Sequence, residues 1–254
     1  MMTIEEMRRY QGANDLLKDR VILVTGASDG IGRVAAKTYA KHGATVILLG
    51  RDLKKLEYVY DEIEADGGAQ PAIIPMNFSS AIPAEYEQLA INIEQEFGRL
   101  DGIVHSAGIL GDLTPLEMYD PNTWDEVMKI NLRAPFMLTQ YLLPLLKQAN
   151  DASIIFMSSS VGRKARAFWG AYAVSKAGIE NLTMLFADEL TNTSKVRVNC
   201  INPQGTRTAM RAKAYPAEDP SQVPPAEQIM PLFLYLMGAD SVGVTGKSFD
   251  ARDK

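Results

Sequence analysis

Short β-branched runs recur along the chain, each ending in glycine or small polar residues, with helix-patterned stretches between them. VILVTG (Val21–Gly26), TVILLG (Thr45–Gly50), AIIPM (Ala72–Met76), GIVHSAG (Gly102–Gly108), SIIFMSS (Ser153–Ser159) and VRVNCIN (Val196–Asn202) form the series, and KSFDA near the end supplies one last short strand. Continuous apolar runs of this length suit strands buried on both faces, as in a parallel sheet. Helical pattern covers about Ile31–His42, Asn122–Lys147 and Ala171–Thr191, and Asp52 stands where a helix cap belongs. This alternation predicts an α/β fold with a doubly wound parallel sheet covered by helices on both faces. No repeat or linker divides the chain, so residues 1–254 read as a single domain, with 1–17 as an N-terminal extension.

A chain of 254 residues, 46% hydrophobic and with a net charge of −5, is expected to be globular, soluble and mildly acidic. Nothing in it predicts bulk attraction to nucleic acid or to an anionic membrane. The charged N-terminus has no secretory apolar core, and no apolar run reaches the ~18 residues of a spanning helix. The lone Cys200 sits in an apolar run and reads as a buried thiol. Together these features predict a cytoplasmic protein.

Between the first strand and the first helix lies TGASDGIG (Thr25–Gly32). Its glycines allow a tight turn and close backbone approach to a diphosphate, and the helix N-terminus behind them offers amide donors. Gly26, Ser28, Asp29, Gly30, Ile31 and Gly32 are therefore candidate dinucleotide contacts in a Rossmann-type three-layer sandwich. At the end of the second strand, where such folds meet the adenosine ribose, the chain has Arg51. An arginine fork suits a 2′-phosphate, so NADP(H) is expected ahead of NAD(H), which Asp52 keeps open. The loop is not followed by Lys-Ser/Thr and is not a P-loop. SSSVG lacks the elbow of a serine hydrolase. With only His42 and His105 present, no zinc spacing occurs, and no metal is expected.

In GAYAVSKAG, Tyr172 and Lys176 lie four residues apart on one helix face. An ammonium beside a phenol favours the phenolate, which turns a weak acid into a usable proton-transfer group. A serine from the preceding strand could hold a substrate oxygen, and Asn131 in KINL could anchor a water linking Lys176 to solvent.

Together, TGASDGIG, the Asn131 segment, Ser159 thirteen residues before Tyr172, and Tyr172-Ala-Val-Ser-Lys176 resemble the short-chain dehydrogenase/reductases, from about Leu16 to the C-terminus. The resemblance implies hydride transfer between a nicotinamide and an alcohol or carbonyl carbon. Tyr172 would be the acid/base, Ser159 would orient the substrate oxygen, Lys176 would lower the tyrosine pKa and bind the ribose, and Asn131 would support a proton relay. It also implies cofactor contacts from Ala107 and Gly108, from Pro203 and Thr206, and from Thr208. The family's pattern selects Ser159 from Ser158–Ser160. The long apolar helices, which family members often pair, imply a homodimer or homotetramer. Residues 206–228, with the Pro-rich stretch Pro216–Pro225, are expected to form a substrate loop or lid.

Two positions depart from the family's pattern. His105-Ser106-Ala107-Gly108 replaces its usual NNAG, and Gln204 follows Pro203 where glycine is usual. His105 reads as a structural, hydrogen-bonded histidine. Arg163, Lys164 and Arg166 either greet an anionic substrate or form a solvated basic loop, and Phe168 and Trp169 either wall a pocket or pack at the helix start. The reading from another class is a dinucleotide-binding regulator without turnover. A dehydratase or epimerase is a weaker enzyme alternative.

Overall fold

The computed structural model describes residues 2–253; the expected domain range also takes in Met1 and Lys254, which lie outside the described residues. Its strands are β1 (Val21–Thr25), β2 (Thr45–Gly50), β3 (Ala72–Pro75), β4 (Gly102–His105), β5 (Ser153–Met157), β6 (Arg197–Asn202) and β7 (Ser248–Asp250). They form one parallel sheet in the order β3-β2-β1-β4-β5-β6-β7. The helices are α1 (Ile4–Arg8), α2 (Gly30–Lys41), α3 (Leu53–Ala65), α4 (Pro83–Phe97), α5 (Pro121–Met128), α6 (Ala134–Leu146), α7 (Ser160–Arg163), α8 (Gly170–Thr191), α9 (Ala209–Ala214) and α10 (Met230–Met237).

Side chains alternate across each strand, so each buried run feeds two cores. Ile22, Val24, Val46 and Leu48 pack with Tyr39, Leu56 and Phe233 on one face. Val21, Leu23, Ile47 and Leu49 pack with Tyr86, Leu138, Leu142 and Ile179 on the other. This is the doubly wound, single-domain α/β architecture expected from the alternation. Strand order reverses direction at the β1–β4 pair, and a crevice opens there beyond the carboxyl ends of the strands.

The strands stop short of the apolar runs that predict them. β4 ends at His105 and β5 at Met157. Beyond β4 the backbone leaves the ladder, and the Ala107 N–H donates to Thr25 Oγ1 at 3.0 Å instead of to a strand. The residues released this way line the crevice. The helix expected over Asn122–Lys147 is α5 and α6 joined by a π-helical turn, Lys129–Arg133, which carries Asn131.

The first residues are fastened to the fold. Thr3 and Glu6 form a capping box on α1, and Met7 and Leu17 are buried. Arg8 donates to the carbonyls of Asp250 and Arg252, both at 3.0 Å, and Tyr10 donates to Asp240 at 2.7 Å. The 206–228 segment contains α9 and short 3-10 turns. Arg252 fastens both its ends, donating to Gly205 O at 2.6 Å and Pro225 O at 3.0 Å. Among the described residues no helix is long and apolar enough to cross a membrane.

Candidate active site

A cleft of about 850 Å³ runs along the carboxyl edge of the sheet. The glycine turn forms one wall. Gly26 holds φ +65°, and a Cβ there would come 2.9 Å from the backbone N and Cα of Ala107. A side chain would fill the space between these two segments, so the turn is a cradle open to a close-fitting ligand. Asp29 caps α2, its carboxylate accepting from Gly30 N at 2.6 Å, and Ser28 and Ile31 line the cleft beside it. Gly32 does not line the cleft. It packs on the Gly26 carbonyl, too close for any Cβ, and so lets α2 sit on the turn.

Arg51 and Lys55 line the same end of the cleft, and neither joins an ion pair among the described residues. Asp52 is the cap of α3, accepting from Lys55 N at 3.2 Å. Its carboxylate is therefore occupied by the helix end. An unpaired arginine and lysine one turn apart suit a ribose phosphate better than a bare ribose.

At the other end, α8 begins at Gly170 and places Tyr172 in its first turn and Lys176 one turn further on. Both are buried and both line the cleft. Lys176 Nζ donates to Met157 O at 2.7 Å and lies 5.6 Å from the Tyr172 ring centroid. Ser159, just beyond the end of β5, lines the same cleft as Tyr172. Ser158 points elsewhere, donating to Glu180, so the neighbouring serines are told apart by their partners.

The electrostatics differ from the expected acidified phenol. Burial pushes the Tyr172 hydroxyl up to about 12, and the neighbouring Ser159 hydroxyl offsets only part of that rise. Burial likewise pushes Lys176 down to about 8. Desolvation of both groups outweighs their proximity, so in this arrangement the tyrosine is a proton holder at neutral pH.

Asn131 is buried and does not line the cleft. Its amide braces the cleft wall, accepting from Ile109 N and donating to Ile109 O, both at 2.8 Å, with Ser175 Oγ at 3.2 Å. A π-turn is a costly irregularity that recurs at functional sites. Here it sets Asn131 across from Gly108, which lines the cleft with Ala107. Pro203, Thr206 and Thr208 line the opposite wall, with Thr206 Oγ1 donating to Pro203 O at 2.8 Å and Thr208 capping α9. His105 is structural: its Nε2 meets Thr139 Oγ1 at 2.9 Å, its ring stacks on Phe156 at 4.6 Å, and burial pushes it down to about 3. Cys200 is a buried thiol, pushed up to about 12 by burial.

Residues 20–219 match the family described as short chain dehydrogenase. The chain belongs to the short-chain dehydrogenase/reductases. It is 52% identical over 243 residues to the oxidoreductase YciK of Escherichia coli strain K12, covering 96% of each. A short chain dehydrogenase from Shigella flexneri 2a strain 301, complexed with NADP, superposes with a TM-score of 0.92 at 52% identity, over 95% of this chain and 100% of that one. One from Escherichia coli CFT073, complexed with NADPH, gives the same TM-score, identity and coverage. The protein is thus an oxidoreductase of the short-chain dehydrogenase/reductase family, with NADP(H)-bound structures among its near relatives.

For this family member, the cleft also takes in residues that the motifs do not single out. Lys55 lies one turn from Arg51, Asn77 and Phe78 follow β3, and Tyr215 ends α9. The rule that ligands sit beyond strand carboxyl ends could have found Asn77 and Phe78. Nothing local marks Tyr215.

Proposed function

We propose that this protein is an NADP(H)-dependent oxidoreductase that interconverts a small carbonyl compound and its alcohol, with Tyr172 as the acid/base. The observation that carries this is the buried Tyr172 in the cleft, with Ser159 lining the same cleft, Lys176 beside the ring and the glycine cradle at the far end. Bound in this cleft, the dinucleotide would supply a hydride in reduction or accept one in oxidation. As the substrate oxygen gains charge, Tyr172 Oη gives it a proton, and Ser159 Oγ holds the same oxygen in place. Lys176 offers its remaining N–H donors to the cofactor ribose, and its charge steadies the phenolate left on Tyr172 once the proton is given. Asn131 steadies the wall through which the relay to solvent runs.

Arg51 and Lys55 would hold the 2′-phosphate, with the glycine turn and Thr208 closing on the diphosphate. The exposed apolar side chains Val174, Met184 and Leu185 on α8, with Phe136 on α6, support assembly into a homodimer or homotetramer. The regulator reading draws on Ser106 and Gln204. It leaves the grouping of Ser159, Tyr172 and Lys176 in one cleft without a purpose.

NADPH oxidation against a panel of ketones and aldehydes tests the proposal. Tyr172→Phe is expected to lower kcat by about a hundredfold or more while largely sparing NADPH binding. Near-normal turnover in that variant would remove Tyr172 from the chemistry. Saturable NADPH binding with no turnover of any carbonyl would favour the regulator.

A further inference from the structure

Among the cations of the cleft, one has no assigned work. Arg211 is held bidentately by Glu218, at 2.7 and 2.6 Å. Arg163 is spent on Glu180 at 2.8 Å and Asp250 at 2.6 Å, and it does not line the cleft. Arg51 and Lys55 stand at the nucleotide end, and Lys176 is buried beside the phenol. Arg166 lines the opposite arm and makes no ion pair among the described residues. Its polar contact is the Tyr215 hydroxyl, to which it donates at 2.9 Å.

Arg166 is exposed, and that contact turns its guanidinium toward α9 and leaves its other N–H donors free. Tyr215 is itself held, with the Arg211 guanidinium 3.7 Å from its ring centroid and Trp169 at 5.9 Å. Trp169 also packs on Tyr172, ring centroids 5.8 Å apart, so a single indole separates the reacting phenol from the tyrosine that aims Arg166. Leu110, Val161 and Met210 give this arm an apolar lining. A purely apolar substrate would gain nothing from an oriented, unpaired guanidinium above that surface. A single arginine fork, with no second free cation in this arm among the described residues, matches a carboxylate rather than a phosphate dianion.

We infer that this arm is a carboxylate subsite, and that the substrate is an oxo acid, or the matching hydroxy acid, whose apolar body lies along Trp169 and whose carboxylate pairs with Arg166. The inference rests on Tyr172 marking the reacting end. Arg166 acts here as a specificity determinant and takes no part in proton transfer.

Calorimetric titration of the NADP-loaded protein with para-acetylbenzoate and with its methyl ester tests the subsite without relying on turnover. The acid is expected to bind the wild type about tenfold or more tightly than the ester, as a charge-assisted pair should. Arg166→Ala should bring the two within about twofold, and Arg166→Lys should restore part of the preference. Equal affinities in the wild type, binding of neither compound, or a preference that survives Arg166→Ala would overturn the inference. Turnover of the same pair is then measured. An Arg166-dependent preference in binding with no NADPH oxidation would sink the hydride-transfer reading and leave the subsite standing. Turnover with no such preference would do the reverse.

Discussion

Gln204 is held at φ +59°, in the left-handed region that costs a non-glycine residue about 1 kcal/mol or more. Its neighbours fix it there: Gln204 N donates to Asn202 Oδ1 at 3.2 Å, and Thr206 Oγ1 closes on Pro203 O. The backbone thus keeps the shape that glycine would adopt freely, and the departure from the family pattern adds a side chain without abolishing the turn. Arg51 decides more. If it meets the 2′-phosphate, Arg51→Ala should weaken NADPH binding by about tenfold or more and NADH binding by less than about twofold. Paired fluorescence titrations with the two cofactors measure this, and equal losses would end the assignment.

Between residue and sheet, the elements around Ser159 are tied together by one carboxylate. Glu180, on α8, accepts from Ser158 at the end of β5 and from Arg163 on α7, and Arg163 continues to Asp250 on β7. Burial opposes the charge of Glu180, yet hydrogen bonds from Ser158, Ser248 and Arg163 win and hold its carboxyl below the usual range. If Ser159 holds the substrate oxygen as proposed, Glu180 positions it through the adjoining Ser158. Glu180→Ala is expected to reduce kcat about tenfold with NADPH affinity nearly unchanged, because a small displacement of the serine is felt in the chemistry and not at the nucleotide end. Steady-state kinetics beside cofactor titration separates the two, and parallel losses would point to general loosening. This network was not legible in the sequence, since its members are dispersed and each has an ordinary surface role available. The strands, the glycine cradle and the Tyr172–Lys176 spacing were legible because they depend on local periodicity. The burial that lifts the Tyr172 pKa comes from the packing of separate segments, and spacing alone carries no sign of it. Likewise Arg163, Lys164 and Arg166 look alike in sequence, and only the fold assigns Arg163 to Glu180 and Arg166 to the cleft.

For the whole molecule, buried His105 sets part of the acid limit. Its pKa is about 3 when folded, against an ordinary 6.5, so between those values the unfolded chain binds a proton that the native chain refuses. Its neutral, buried state is fully compatible with folding above pH 6.5, and stability is lost as pH falls below that point. His105→Gln, which can keep a hydrogen bond to Thr139, should lose about 2 kcal/mol less stability than the wild type between pH 7 and pH 4.5, at most about 1.4 kcal/mol per pH unit. Urea denaturation at the two pH values checks it, and parallel losses would acquit the histidine. Assembly is the other global property. Met184 and Leu185 are 52% and 53% exposed on the longest helix, an apolar cost that a second copy would relieve. Light scattering should give two or four times the mass of one chain, and Leu185→Glu should shift it toward one; a wild-type monomer would dismiss the proposal.

The Arg8 tie to Asp250 and Arg252 brings α1 and the residues that close β7 side by side. A short flexible tether could join them, and the ring could be reopened between Gly67 and Gly68, in the turn from α3 to β3 on the edge opposite the cleft. Such a circularly permuted chain would keep every residue of the cleft in place while setting its new termini, and with them any fused reporter, on the far side of the molecule.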